Sequence, residues 1–265
     1  MLMSSALVSG RVGRICCEAQ LRSNHNLPSP FTILSLSSMG RPTLTLFYDC
    51  VSPWSWIHFE VLLRYEAIWA VDLILEPFFL GGVNHNTGNV PPFLNPYKRQ
   101  YGAQIMSVAR KMYEMKLKEP AYFPANTIKA MRLLRVIKTR YTRDVLIECS
   151  RECWKCYWDE GRNPEKDGDL VLHLGRVLGE SVVEKMLSED ITAKVKKELA
   201  DVTELAVEKG SFGAPWTVAT LEDGGYQGFF GSDSMERLAF YLGKEYLGPF
   251  PARELAQRQR DQSKL

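Results

Sequence analysis

The sequence predicts an α/β domain in which a βαβ unit and a ββα unit share one sheet, with an all-helical block inserted between them. Two observations carry this. Short β-like apolar runs occur at residues 44–48, 71–79, 215–221 and 226–230. Between about residues 100 and 209 the apolar residues recur instead at helical spacing. A sheet interrupted by helices and then rejoined is an α/β domain carrying an inserted α domain.

Residues 1–41 read as a leader. Residues 1–40 are serine-rich and carry Arg11, Arg14 and Arg22 against Glu18, which supplies the whole formal charge of +2. An organelle transit peptide and an inconsequential leader both fit this composition. Met39-Gly40-Arg41-Pro42 is an alternative start that leads directly into the first strand. The first half of the sheet domain then spans residues 42–99. Leu44 to Tyr48 forms a buried strand, and Ser52-Pro53 opens a helix with a serine cap and a proline at its first position. Trp56, Phe59, Leu63 and Ile68 follow near helical spacing. Val71 to Phe79 is the second strand, parallel to the first as a short βαβ unit requires. Gly81 to Pro96, full of Gly, Asn and Pro, reads as one long loop, functional or disordered.

The helical insertion, residues 100–209, reads as roughly four to six helices. Met131, Leu134 and Ile137 mark one; Val145, Cys149 and Cys153 mark another. Asp169 is expected to cap the helix of Leu170, Leu174 and Leu178, and Thr192 to cap a charged helix that stops at Gly210. The second half of the sheet domain covers residues 210–251. Pro215 to Leu221 and Tyr226 to Phe230 make a hairpin about Gly224-Gly225. Asp233 with Glu236 resembles a capping box before the apolar face of Met235, Leu238, Ala239 and Leu242. Residues 252–265 are a polar tail ending Ser263-Lys264-Leu265.

Composition excludes several classes. The rest of the chain is charge-balanced, so nothing points to nucleic acid. No apolar run approaches the ~18 residues of a membrane span. Six cysteines in 265 residues are too few for a disulfide scaffold. Cys153-Trp154-Lys155-Cys156 lies in a helical pattern with no second ligand pair near it, so burial is expected rather than zinc or redox chemistry. Cys50 reads as packed. His25, His58, His85 and His173 form no triad or metal pattern, so no metal site is expected.

The element order, a functional turn after strand one and a proline opening strand three resemble the thioredoxin superfamily, and the insertion resembles its DsbA-like branch. Redox members of that branch begin the first helix with Cys-x-x-Cys. Here Ser52-Pro53-Trp54-Ser55 stands in that place, after Phe47-Tyr48-Asp49 and before Trp56. This resembles the kappa class of glutathione transferases. Gly88-Asn89-x-Pro91-Pro92, Phe212-Gly213-Ala214-Pro215, Phe230-Gly231-Ser232-Asp233 and Gly248-Pro249-Phe250-Pro251 extend the similarity over residues 42–251.

The resemblance implies that Ser52 is the catalytic serine and that Pro215 is a cis-proline. It implies that Pro53, Trp54, Asn89, Ala214, Ser232 and Asp233 line a glutathione site. It implies glutathione as co-substrate with no tightly bound cofactor, a small apolar electrophile as second substrate, a homodimer, and residence in mitochondria or peroxisomes. Reduction of peroxides is a second reaction within the same reading. Two positions depart from the pattern. Ser234 and Ile105 stand where an arginine and an acidic residue are common, so any cross-subunit clamp built on those groups is absent or rebuilt.

Residue chemistry agrees with a hydroxyl that donates rather than attacks. A free thiol has a pKa of about 8.5, and a hydrogen bond to a thiolate is worth roughly 1.5–3 kcal/mol. The helix N-terminus adds about 0.3–1 kcal/mol. Taken alone, Ser52 reads equally as a plain helix cap, Asp233 as another, Asn89 as a turn residue and Ala214-Pro215 as an ordinary trans turn. Two rival functions use the same scaffold: a glutathione-dependent 2-hydroxychromene-2-carboxylate-type isomerase, and a non-catalytic DsbA-like binding protein. Ser263-Lys264-Leu265 matches a peroxisomal address read by an import receptor, and a leader that is a transit peptide would add a mitochondrial one.

Overall fold

The computed structural model describes residues 40–264, so the leader expected over residues 1–41 lies almost wholly outside the described part, as does Leu265. Strand β1 (Thr43–Tyr48) leads through a tight turn into α1 (Pro53–Trp69), and β2 (Asp72–Pro77) returns beside it. Helices α2 (Leu80–Thr87), α3 (Pro96–Met112), α4 (Ile128–Arg140), α5 (Arg143–Trp154), α6 (Asp167–Leu178), α7 (Glu180–Lys185) and α8 (Ala193–Glu208) follow. Strands β3 (Trp216–Thr220) and β4 (Tyr226–Phe230) form the hairpin, and α9 (Met235–Tyr241) and α10 (Pro251–Gln262) end the chain. The sheet order is β2-β1-β3-β4. β1 pairs parallel with β2 and antiparallel with β3, and β3 pairs antiparallel with β4. The described residues, 40–264, cluster as one compact unit.

Helix α1 is apolar nearly all round, with Ile57, Phe59, Val61, Leu62, Tyr65 and Trp69 buried, because other elements cover it on several sides. Its C-terminal half anchors the Gly248-Pro249-Phe250-Pro251 segment. Tyr65 Oη donates to Gly248 O at 2.7 Å, Arg64 donates to Pro249 O at 2.8 Å, and Trp69 Nε1 donates to Glu245 O at 2.9 Å. That motif therefore holds the helix rather than the reacting end. His58 is buried and neutral: burial pushes it down to about 3, and Nε2 lies 2.8 Å from Thr217 Oγ1.

Several expectations need correction. Gly81 to Pro96 is not one long loop; it holds α2, a 3-10 turn at Pro92–Leu94 and the start of α3. Its glycines hid the helix, yet Gly81 has a packing reason. A β-carbon there would lie 2.5 Å from the Phe79 ring, which covers that backbone. Asp169 does not cap α6, which begins two residues earlier at Asp167; its carboxylate accepts instead from Asn163 N at 3.1 Å. Asp233 and Glu236 form no capping box, because Ser232–Ser234 is a 3-10 turn and α9 begins only at Met235. The polar tail is largely the helix α10. Thr192 does cap α8, accepting from Val195 N at 3.5 Å, and Gly210 follows its end with φ +89°.

Candidate active site

Ser52 sits at the N-cap of α1 with extended backbone (φ −95°, ψ 117°), and Pro53 fixes the first helical residue. Its Oγ accepts from Ser55 N at 3.2 Å and donates to Ala214 O at 3.3 Å. The Ala214-Pro215 peptide is cis, as expected. So the opening of β3, brought from 162 positions along the chain, lies against the hydroxyl.

The carbonyls of residues 212–215 are a hub for the expected residues. Asn89 Nδ2 donates to Phe212 O at 2.7 Å. Ser52 takes Ala214 O, and Gly231 N donates to Pro215 O at 3.1 Å, which places Ser232 and Asp233 beside the same segment. The Ser232–Ser234 turn also packs on α1. Ser52, Pro53, Asn89, Ala214, Pro215, Ser232 and Asp233 are thus gathered by direct bonds or adjacency. Ser232 is buried, whereas the Asp233 side chain is 85% exposed and lies 3.9 Å from Arg237. Ser234 is buried and donates to Gly231 O at 2.7 Å, so it shapes this turn from inside. Ile105 lies on α3, half-buried.

Trp54 is half-buried against the core. An open cleft of about 470 Å³ begins two residues further on, at Trp56, and runs past Arg64, Tyr113, Lys155 and Phe250; none of the expected site residues lines it.

Sequence reasoning missed what holds the Ser52 turn. Beyond Trp154, helix α5 widens into a π-helical turn, Lys155–Asp159. Trp154 Nε1 donates to Ser52 O and Trp158 Nε1 to Cys50 O, each at 3.1 Å. Trp154 also stacks on Trp56, with centroids 6.1 Å apart and planes 3° apart. The i, i+4 spacing of these tryptophans was visible, but not what they face. Asp49, wholly buried, accepts from Val51 N at 3.0 Å and from Leu80 N at 2.9 Å. Burial pushes its carboxyl up to about 6 despite those bonds. Cys50, Cys149, Cys153 and Cys156 are all free and buried, and burial pushes the thiols of Cys50, Cys149 and Cys156 well above their ordinary range. Among the described residues no group of three or more His, Cys, Asp or Glu side chains gathers to hold a metal, and no helix is long and apolar enough to cross a membrane.

The profile of the DsbA-like thioredoxin domain matches residues 43–243. Glutathione S-transferase kappa 1 of Rattus norvegicus is 33% identical over 214 residues, 78% of this chain and 94% of its own. The Homo sapiens protein of the same name is 34% identical over 219 residues, 79% of this chain and 94% of its own. The chain belongs to the kappa class of glutathione transferases, within the DsbA-like thioredoxin family. Among solved structures, a 2-hydroxychromene-2-carboxylate isomerase aligns over 83% of this chain and 98% of its own with a TM-score of 0.62. At 19% identity that likeness is one of fold. The family and the fold are those that Ser52-Pro53-Trp54-Ser55 and the helical insertion led one to expect.

Proposed function

We propose that this protein is a glutathione transferase that adds the glutathione thiolate to small electrophiles. One observation carries the reading: the Ser52 hydroxyl stands at the N-terminus of a 17-residue helix, against the carbonyl that precedes Pro215. The O–H···O contact to Ala214 is 3.3 Å, longer than the usual ~2.7–2.8 Å, so it is a weak bond to give up. Glutathione's sulfur beside Ser52 takes that proton as a hydrogen bond, while Ser55 N continues to donate to Oγ. The charge-assisted bond contributes roughly 1.5–3 kcal/mol and the helix end about 0.3–1 kcal/mol. At about 1.36 kcal/mol per unit, the thiol pKa falls by roughly 1–3 units from about 8.5, and thiolate becomes abundant near neutrality. No acidic residue in the first turn of α1 opposes it. The thiol proton leaves to solvent on binding. The sulfur then forms a bond to the electrophilic carbon, and a halide leaving group departs with its electron pair.

Ala214, presented by its cis bond to Pro215, pairs its backbone with the cysteinyl backbone of glutathione in the manner of an added strand. The Ser232 turn receives the glutamyl carboxylate, the exposed Asp233 carboxylate takes its amino group, and Asn89 steadies the peptide from α2's end. Pro53 shapes the floor, and Trp54 borders the electrophile. Peroxide reduction by the same thiolate is part of this reading, and no tightly bound cofactor enters it.

A homodimer fits the exposed apolar stripe of α3, where Tyr97, Tyr101, Val108 and Met112 are all at least half exposed. Ser263 and Lys264 are exposed after α10, which suits a receptor-read peroxisomal address; a mitochondrial address rests on the leader alone. Conjugation of glutathione to chlorodinitrobenzene tests the function. Activity in the wild type is expected. Its absence alongside isomerisation of a chromene acid would move the protein to the isomerases, and absence of glutathione binding by calorimetry would leave a binding protein. Sedimentation of the intact chain tests the dimer, and a reporter carrying the native C-terminus with or without Leu265 tests the address.

A further inference from the structure

The β1–α1 turn carries a buried charge that the conjugation chemistry does not use. Asp49 directly follows β1 and is 0% exposed, yet it makes no ion pair among the described residues. Its two oxygens are divided between two elements. Oδ1 accepts from Val51 N, inside the turn, and Oδ2 accepts from Leu80 N, the first residue of α2. The buried Thr127 hydroxyl, at the start of α4, also faces the carboxylate. The backbone of the same residue completes the clamp, since Asp49 O accepts from Ser52 N at 3.1 Å. One side chain therefore ties the turn that presents the Ser52 hydroxyl to the helix that leads to Asn89.

We propose that Asp49 is the positioning residue of this site: its ionised carboxylate fixes Ser52 Oγ by bonding both the turn and α2, and taking up a proton releases one of those bonds and loosens the hydroxyl. This deepens the glutathione-transferase reading and rests on it for its catalytic readout. The logic is one of donors and acceptors. An ionised carboxylate accepts on both oxygens, whereas a protonated one turns one oxygen into a donor that opposes an N–H. Val51 N and Leu80 N are both donors, so a neutral Asp49 satisfies only one of them well. The groups that face it are those two N–H groups, the Thr127 hydroxyl and the Cys50 thiol. Of these the Cys50 thiol alone titrates, and burial keeps it neutral. With burial raising Asp49 to about 6, the switch falls just below neutrality. The ionised form is thus the working form above about pH 6, and the clamp weakens as pH falls through that value.

Two variants separate position from charge. Asp49→Asn removes the charge and one acceptor. Leu80→Pro keeps the charge and removes one donor, with the leucine side chain that packs on the core, at a first helical position where proline is tolerated and after a residue, Phe79, already extended at φ −105°, ψ 105°. The ultraviolet absorbance of enzyme-bound glutathione thiolate, titrated against pH, reads the chemistry. Amide hydrogen exchange at Val51 and Ser55 without glutathione reads the turn. The expected result in both variants is a bound-thiol pKa raised by about one unit, a roughly tenfold change in the thiol's ionisation constant. Protection at Val51 and Ser55 should fall below about pH 6 in the wild type, and be low at all pH in Asp49→Asn. A lowered thiol pKa in Asp49→Asn with none of the effect in Leu80→Pro would mean that the carboxylate acts by charge, and would overturn the proposal. So would wild-type protection that ignores pH. Protection that follows pH in a protein that binds no glutathione would sink the transferase reading and leave the clamp standing.

Discussion

Two turns meet at this site, and they are built to opposite standards. The β1–α1 turn is buried: Ser52 is 7% exposed, and Ser55 N, Trp154, Trp158 and Asp49 all bond it from inside the protein. The turn before α9 opens a short helix, and the side chain of Asp233 is 85% exposed, its one ion pair among the described residues being to Arg237 at 3.9 Å. On the proposed function, the difference follows from what each has to do. A hydroxyl that stabilises a thiolate must be placed to within a few tenths of an ångström to aim its hydrogen bond at the sulfur, so its backbone is fixed by several elements at once. A carboxylate that greets an amino group works at longer range and can remain solvated. The two turns should therefore respond differently to substitution. Damage at the first should appear in the thiol pKa and the rate, and damage at the second in affinity alone.

The largest effect is expected from Ser52→Ala. It removes the proton shared with sulfur, worth roughly 1.5–3 kcal/mol, so conjugation should fall on the order of 10–100-fold and the bound-thiol pKa should rise by about 1–2 units. It also removes the helix cap, which costs about 1 kcal/mol of stability by denaturant titration. Equal rates in wild type and variant would take the hydroxyl out of the mechanism.

Trp154→Phe tests whether the first turn is held from the insertion. It keeps most of the ring that stacks on Trp56 but deletes the N–H that meets Ser52 O. A buried carbonyl left without its donor costs about 1–3 kcal/mol, and the rate should fall by a smaller factor than in Ser52→Ala. A variant with full stability and unchanged thiol pKa would show that Ser52 is positioned without the π-helical turn.

Legibility divides along the same line. Apolar periodicity gave away the strands, most helices and the cap at Ser52, because local chemistry dictates them. Pro215 could be picked out because a proline opening the third strand resembles the thioredoxin superfamily, which implies a cis bond there. What stayed hidden depends on distant packing. Trp154 reads as one more apolar helix position until its indole is seen against a carbonyl 102 positions away. Asp49 reads as a turn residue, and nothing local says that its second oxygen meets α2. Helix α2 was masked by Gly81, Gly82 and three asparagine or threonine residues whose propensities argue against it; tertiary anchoring of Leu80 N and the buried Val83 wins there. The pattern at Asp233 misled in the other direction. Spacing suggested a capping box, but the buried Ser234–Gly231 bond winds the chain into a 3-10 turn first.

At the second turn, Asp233→Asn should weaken glutathione binding by up to about fivefold in calorimetry, with the bound-thiol pKa unchanged. An exposed ion pair is worth about 0.2–1 kcal/mol, and added salt should weaken the wild type more than the variant. A raised thiol pKa in Asp233→Asn would break the division of labour between the two turns.

Asn89→Ala should have the smallest effect, because it acts on neither turn directly. Asn89 is the only side chain from the α2–α3 connection that bonds the 212–215 segment among the described residues, through Phe212 O at 2.7 Å. The contact is exposed, so water replaces most of what is lost, and stability should change by no more than about 0.5–1 kcal/mol. The two turns bracket that segment through Ala214 O and Pro215 O, which remain bonded in the variant. A loss in glutathione affinity of about twofold, with rate at saturation preserved, is therefore expected. A drop in saturated rate would mean that the segment's placement against Ser52 depends on its outer bond to Asn89, and that the buried turn is less self-sufficient than its own hydrogen bonds imply.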